Sequence, residues 1–373
     1  MSKYKILYID DDASKLGISR IEPMIDALEE NGKIAITTMQ SGTFDKIASQ
    51  LMEKIKDFDA IIFDYQLDDA ANDDGEKGNI KAPTLAQHLR TEATSKETNL
   101  KDVPFILCST DDKLQKSYTT DQTSHDLFDL RFRKDKGDLL QVSEQIVSLV
   151  EGYKLIESTT DFSTILDYDI NKLDERIFSR FASDKSQTPP HEYARAILKD
   201  LLYTNGPLID SETLAARLGI DIEKSGDDWN TIKNEVFKDA IYSGSFSNGW
   251  ERWWMNSITD IFQAITENNL ASIDAQSRLQ LLIEKTGLKN LVLAERIEGC
   301  NSYRYWTVCK SYNKPLDPRE GFKAASKQEP KPWQDYSYIS KDGAVKRINF
   351  DEGLDVHSSD YERYQLTIAQ LKK

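Results

Sequence analysis

The stretch Asp59-Ala60-Ile61-Ile62-Phe63-Asp64-Tyr65-Gln66-Leu67 sets a run of apolar residues before a carboxylate and an acidic, turn-forming segment. A continuous apolar run of this length reads as a central strand of a parallel sheet, buried on both faces. Its carboxyl end delivers Asp64 to the edge where open α/β sheets bind ligands. Many α/β strands end in an aspartate, so the reading draws its weight from three other strand ends.

These are Lys5–Ile9, followed by Asp10, Asp11 and Asp12; Val103–Cys108, followed by Ser109 and Thr110; and Leu127–Arg133, followed by Lys134. Between them lie apolar stripes at helical spacing. Ile18, Ile21, Ile25 and Leu28 make the first and Phe44, Ile47, Ala48, Leu51 and Ile55 the second. A third helix starts near Pro83, and a short one is expected around Lys113–Tyr118. A strong amphipathic helix opens at Asp138 and runs through Val142, Ile146, Leu149 and Val150. The alternation predicts α/β architecture, a flavodoxin-like (βα)₅ doubly wound sheet of order 2-1-3-4-5 with right-handed crossovers. Asp10, Asp11 and Asp64 converge at its switch point.

An acidic pair, an isolated aspartate, a hydroxyl and a lysine, in that order, resemble the receiver domain of two-component response regulators. The resemblance covers roughly the first 155 residues. It implies that Asp64 is a phosphoacceptor and that Asp10, Asp11, Asp64 and the Gln66 backbone carbonyl hold Mg²⁺. It further implies that Ser109 donates to the phosphoryl group, that Lys134 neutralises its charge, and that a histidine kinase or similar phosphodonor is the partner. Homodimerisation through the face of the fourth and fifth helices is a further expectation of the family. The chemistry is self-consistent: a carboxylate can carry a phosphoryl group covalently, and a divalent cation offsets the repulsion between the two anions.

The sequence also departs from that pattern. Asp68 and Asp135 stand where the family usually has proline, and Arg131 replaces its aromatic switch residue, with Phe132 adjacent. The loop after Asp64 is long and acidic, with Asp68, Asp69, Asp73, Asp74 and Glu76. A degenerate receiver serving as an adaptor scaffold is therefore the competing reading of this part of the chain.

The 373 residues suggest two or three domains at ~100–200 residues each. The expected division is a receiver over 1–155, a helical linker over 156–189, a helical output domain over 190–288 and an α+β region over 289–373. Net charge is -15, with 20 Lys+Arg against 29 Asp+Glu before residue 156 and 28 against 34 after it. Neither part carries the basic footprint of a DNA-binding module. No apolar run is long enough to span a membrane, the N-terminus lacks a signal-peptide pattern, and three scattered cysteines make no disulfide framework. A cytoplasmic protein is expected.

Beyond residue 190 the signals are weaker. Helix, Gly-containing turn and then Ser211–Gly219 look like part of a helix-turn-helix. Its second helix offers only Arg217 as a cation among Asp210, Glu212, Asp221 and Glu223, which disfavours DNA. Trp250, Trp253 and Trp254 read as part of a helical region that continues to about Ile265, in core packing rather than as an exposed platform. Ala275–Thr286 reads as a helix, Leu291–Ala294 and Tyr303–Tyr312 as strands, and Tyr361–Leu371 as a final helix. Cys300 and Cys309 lack metal-ligand spacing, and no catalytic constellation is visible. The sequence thus favours an Mg²⁺-dependent phosphoacceptor controlling a non-catalytic output on an unidentified protein target. Its alternatives are a phosphorylation-regulated transcription factor and an enzyme gated by the receiver.

Overall fold

The computed structural model describes residues 3–13, 21–68, 75, 78–95, 97–98, 100–110, 126–135, 137–181 and 188–371. The chain divides into two compact units. One comprises Met1–Lys199 with Ser243–Trp250, the other Asp200–Tyr242 with Glu251–Lys373. The boundaries expected at 155 and 189 both fall inside the first unit.

The first unit is built on a five-stranded parallel sheet of order β2-β1-β3-β4-β5. The strands are β1 (Tyr4–Asp10), β2 (Ile34–Gln40), β3 (Ala60–Asp64), β4 (Phe105–Ser109) and β5 (Leu130–Arg133). Between them run α1 (Ile21–Glu29), α2 (Phe44–Lys54) and α3 (Ala82–Thr94), and α4 (Leu139–Ser158) follows β5. Strand alternation sends Leu7, Ile9, Ile61, Phe63, Phe105 and Leu107 into one core with Ile47 and Leu51 of α2 and Leu85 and Leu89 of α3. On the other face α1 and α4 pack together, and Ser143 Oγ donates to Leu28 O at 2.5 Å. Asp138 caps α4 by accepting from Leu140 N and Gln141 N. The helix expected at Lys113–Tyr118 lies outside the described residues.

At the amino ends of β4 and β5 sits a buried charge network. Arg90 Nη1 lies 2.5 Å from Asp102 Oδ1, and Arg90 Nη2 lies 2.9 Å from Asp129 Oδ2. Tyr153 Oη donates to Asp129 at 2.9 Å. The network reaches α6 (Pro190–Ile197), where His191 N and Nδ1 contact Asp102 Oδ2 at 2.9 and 2.8 Å. The chain after α4 is therefore docked on the sheet rather than free. It passes through α5 (Phe162–Leu166), whose Phe162 packs with Phe181 and Tyr193.

In the second unit, β6 (Leu208–Ile209) pairs antiparallel with β7 (Trp253–Trp254). Around them lie α7 (Ser211–Leu218), α8 (Ile222–Thr231, broken at Gly226), α9 (Met255–Thr266) and α10 (Ala275–Thr286). Their core contains Trp229, Phe237, Trp253 and Phe262. Two short hairpins follow, β8 (Thr307–Val308) with β9 (Pro315–Leu316) and β10 (Gly321–Lys323) with β11 (Tyr338–Ser340). The chain continues into α11 (Lys341–Val345) and α12 (Tyr361–Leu371).

Three expectations are corrected here. Trp253–Trp254 is a strand, and the helix after it starts only at Met255. Leu291–Ala294 forms no strand: Val292 O and Ala294 N bond the loop that ends α7, at Asp221 N and Gly219 O, so no ladder can extend. Within Tyr303–Tyr312 only Thr307–Val308 is a strand, because its partner is two residues long and begins with Pro315, which has no N–H to donate. Cys309 is buried, Cys300 is partly so, and both are free thiols.

Burial pushes the Asp102 carboxyl up, yet Arg90 and His191 outweigh it and hold the group below the usual carboxylate range. A carboxyl depressed in the folded state contributes stability above its unfolded pKa and loses it as the pH falls. We therefore expect the stability gap between wild type and Asp102→Asn to shrink as pH falls from about 7 to about 3. Arg90→Ala, which strands two buried carboxylates, should cost about 3–5 kcal/mol by denaturant titration.

Candidate functional site

The sheet register assembles the carboxyl edge. Ile9 pairs with Phe63, so Asp10 and Asp64 end neighbouring strands one residue later. Asp64 pairs with Cys108, and Ser109 pairs with Arg133. Lys134 N then donates to Ser109 O at 3.0 Å. The Lys134 ammonium lies between the two carboxylates, 2.6 Å from Asp10 Oδ2 and 2.8 Å from Asp64 Oδ1. Asp10, Asp11, Asp64 and Ser109 are all buried.

Both oxygens of Asp10 accept hydrogen bonds as well. Tyr8 Oη donates to Oδ2, and Asp12 N donates to Oδ1 at 2.8 Å. Burial raises the Asp10 carboxyl, but Lys134, Tyr8 and the Asp12 amide together bring it below its ordinary value. Burial works against the Lys134 ammonium, and the Asp64 and Asp10 carboxylates nonetheless hold its pKa above the usual lysine range. Burial pushes the neighbouring Cys108 thiol up, so it stays protonated. Tyr8 is likewise raised, first by burial, and remains a neutral donor.

Ser109 Oγ is fully buried and has no hydrogen-bond partner among the described residues. A buried hydroxyl without a partner costs free energy and calls for an account; here it stands at the edge beside the Asp64 strand end. The loop after β3 is tied back by Tyr65 N to Cys108 O at 3.0 Å and by Ser41 Oγ to Leu67 O at 2.8 Å. Gln66 is half-buried and bridges to Lys81.

The structure thus brings Asp10, Asp64 and Lys134 into direct contact and sets Ser109 next in register. Asp11 is buried beside Asp10. Among the described residues the close set of carboxylates is Asp10, Asp11 and Asp12, one oxygen of each lying within 4.8 Å of the others. Asp64 instead joins Asp10 through Lys134. Hard carboxylate oxygens suit Mg²⁺, so the donor chemistry fits, with a cation sharing Asp10 among three protein donors. Sequence reading missed Tyr8, which passes for one more apolar residue of β1. The available signal was that a buried tyrosine hydroxyl needs a partner. Arg131 is exposed and Phe132 buried, while Asp69, Asp73, Asp74 and Glu76 lie outside the described residues.

In the second unit a polar cleft is lined by Asn205, Asp210, Thr213, Arg252, Lys310 and Asp335. Most of these groups serve the fold itself. Asp210 caps α7 through Thr213 N, Arg252 donates to Leu202 O at 2.6 Å, and Asn205 donates to Thr213 Oγ1 at 2.8 Å. Compared with family models and with curated proteins, the chain matches none.

Lys134→Met would leave Asp10 and Asp64 facing each other with no cation between them. We expect a loss of about 3 kcal/mol. Asp64→Asn should recover part of it, giving a coupling well above the additive limit in a double-mutant cycle.

Proposed function

We propose that this chain is a response-regulator-like signalling protein in which Asp64 accepts a phosphoryl group and so controls a non-catalytic protein-interaction output. The observation that carries the reading is the Lys134 ammonium placed between Asp10 and Asp64, with the Ser109 hydroxyl next in register.

In this reading an Asp64 oxygen attacks phosphorus, the O–P bond of an acyl phosphate forms, and the bond from phosphorus to the donor breaks. With a phosphohistidine donor that bond is P–N, and the nitrogen recovers a proton. Lys134 holds its charge throughout, because its ammonium is stabilised by the carboxylates beside it. As negative charge arrives on Asp64, the ammonium can move from Asp10 toward the phosphoryl oxygens, and Ser109 Oγ gains an acceptor. Mg²⁺ bound at Asp10 and Asp11 would neutralise charge between the reacting anions. The scaffold alternative shares the geometry and differs only in whether transfer occurs.

A protein target fits the second unit better than DNA. Every residue of α7 from Thr213 to Leu218 is buried. Arg217, its one cation, spends its donors on Trp306 O at 3.0 Å and Asp335 Oδ2 at 2.6 Å. A recognition helix has to present side chains to a groove, and only Ser211 and Glu212 of α7 are not buried. Among the described residues no helix is long and apolar enough to cross a membrane.

Beryllofluoride, a phosphoryl mimic, tests the proposal. With Mg²⁺ it should bind wild type saturably and raise its Tm by several degrees, following ligand linkage, while leaving Asp64→Ala unchanged. Absence of binding to wild type would leave the scaffold reading standing in its place.

A further inference from the structure

The first unit contains eight residues, Ser243–Trp250, whose chain neighbours on both sides belong to the second. The octapeptide Ser-Gly-Ser-Phe-Ser-Asn-Gly-Trp has neither helical nor strand periodicity. It is nevertheless seated in detail. Ser245 N donates to Ile165 O at 2.8 Å, and Ser243 Oγ donates to Asp167 Oδ2 at 2.7 Å. Its other end lies along α4, where a Cβ on Gly249 would stand 3.0 Å from Gln145 Cα and 3.1 Å from Ser148 Cβ.

Two features set this apart from ordinary loop packing. Gly152 lies inside α4, where glycine is a poor helix former and no turn requires it. A Cβ there would come within 2.2 Å of the Phe246 ring, so the ring explains the glycine. Phe246 itself is buried with φ at +71°. A bulky side chain in the left-handed region is strained and persists only where its surroundings enforce it, a situation typical of switch segments. The seat holds the Phe246 ring with Trp250 edge-on at 6.5 Å, Gly244 close against the Leu166 backbone, and hydrogen bonds from Asn248 to Glu151 and from Gln145 to Gly249 O. A segment of eight residues held in this way, outside the sheet and the long helices, is of the kind that opens locally before a core does.

We propose that Ser243–Trp250 is a latch, an intramolecular partner that seats reversibly on α4 and α5 and covers that face while closed. Lys134 follows β5 directly, and α4 starts five residues later at Leu139. A charge change at Asp64 that draws Lys134 away from Asp10 therefore acts on the segment that positions the seat. That coupling rests on the phosphoacceptor reading; the latch does not.

Native-state hydrogen exchange on the full chain tests both. The amides of Ser245, Gly249 and Trp250 should exchange through an opening at least ~100-fold more frequent than that of Val147–Val150 in α4. Gly152→Ala should raise latch exchange about tenfold more without lowering Tm, and adding Phe246→Leu should restore protection non-additively. Latch amides that exchange in step with the α4 core in wild type would overturn the proposal, since the segment would then be fixed core. Mg²⁺ and beryllofluoride, once bound as seen by fluorine NMR, should raise latch exchange severalfold in wild type and leave Asp64→Ala unchanged. Bound fluoride with no change in the latch sinks the coupling. No bound fluoride removes the phosphoacceptor reading and the coupling together, and the exchange hierarchy alone then decides the latch.

Discussion

Two carboxylates cannot be buried side by side without a cation, and this constraint organises the first unit. The parallel register of β1 and β3 ends both strands in aspartate at the same level. In a medium of low polarity the repulsion between Asp10 and Asp64 would drive one of them to protonate. Lys134 prevents this from two strands away, so the pairings of β3 with β4 and β4 with β5 must all hold for its ammonium to arrive. Tyr8 and the Asp12 amide complete the arrangement by fixing which way the Asp10 carboxylate faces. The site is preorganised in the sense that its charges and donors are set before anything binds.

The opposite end of the sheet applies the same rule with an arginine as the cation. There a buried arginine sits among Asp102, Asp129 and the Tyr153 hydroxyl, and its guanidinium also lies 3.8 Å from the centre of the Phe105 ring. Burial pushes Asp129 up, and Arg90 with the Phe105 amide only partly counters it, whereas Asp102, which also takes His191, ends below its ordinary value. The two differ in the kind of partner: beside Arg90 and a backbone amide, Asp129 takes the Tyr153 hydroxyl and Asp102 the His191 ring. Because His191 belongs to α6, this network also decides where the chain goes after α4. α6 is thus fixed to this network rather than standing off as part of a spacer.

The sheet and its edge were legible because buried parallel strands write themselves as continuous apolar runs, and the chemistry sits one residue past each run. Asp10, Asp64, Ser109 and Lys134 needed only strand order to be brought together. What the sequence hid falls into three kinds. Tyr8 was concealed by its own strand, since its ring satisfies the apolar pattern while its hydroxyl serves Asp10. The Asp102–His191 contact spans 89 residues and leaves no local periodicity. In Ser243–Trp250 the two aromatics, Phe246 and Trp250, stand among small and polar residues without helical or strand alternation, and the partner of the Phe246 ring is a glycine inside a helix, so neither half shows a periodic hydrophobic signal. The Leu291–Ala294 run misled for the reverse reason: it is apolar and extended, but its hydrogen bonds go to a helix end.

The cations of the second unit show why net charge alone was an incomplete guide to its surface. Arg217 and Arg278 are both almost fully buried and lie 4.7 and 5.6 Å from the Trp306 ring. Arg278 donates to the carbonyls of Leu270, Arg217 and Tyr305, stitching three segments that share no regular ladder. Burial pushes its pKa down to about 10, which still leaves it charged at neutral pH. Guanidinium suits this use, because its planar fork serves several carbonyls at once and its face tolerates an aromatic ring. The helix that most resembled a DNA reader is thus one whose single cation is committed to holding the fold.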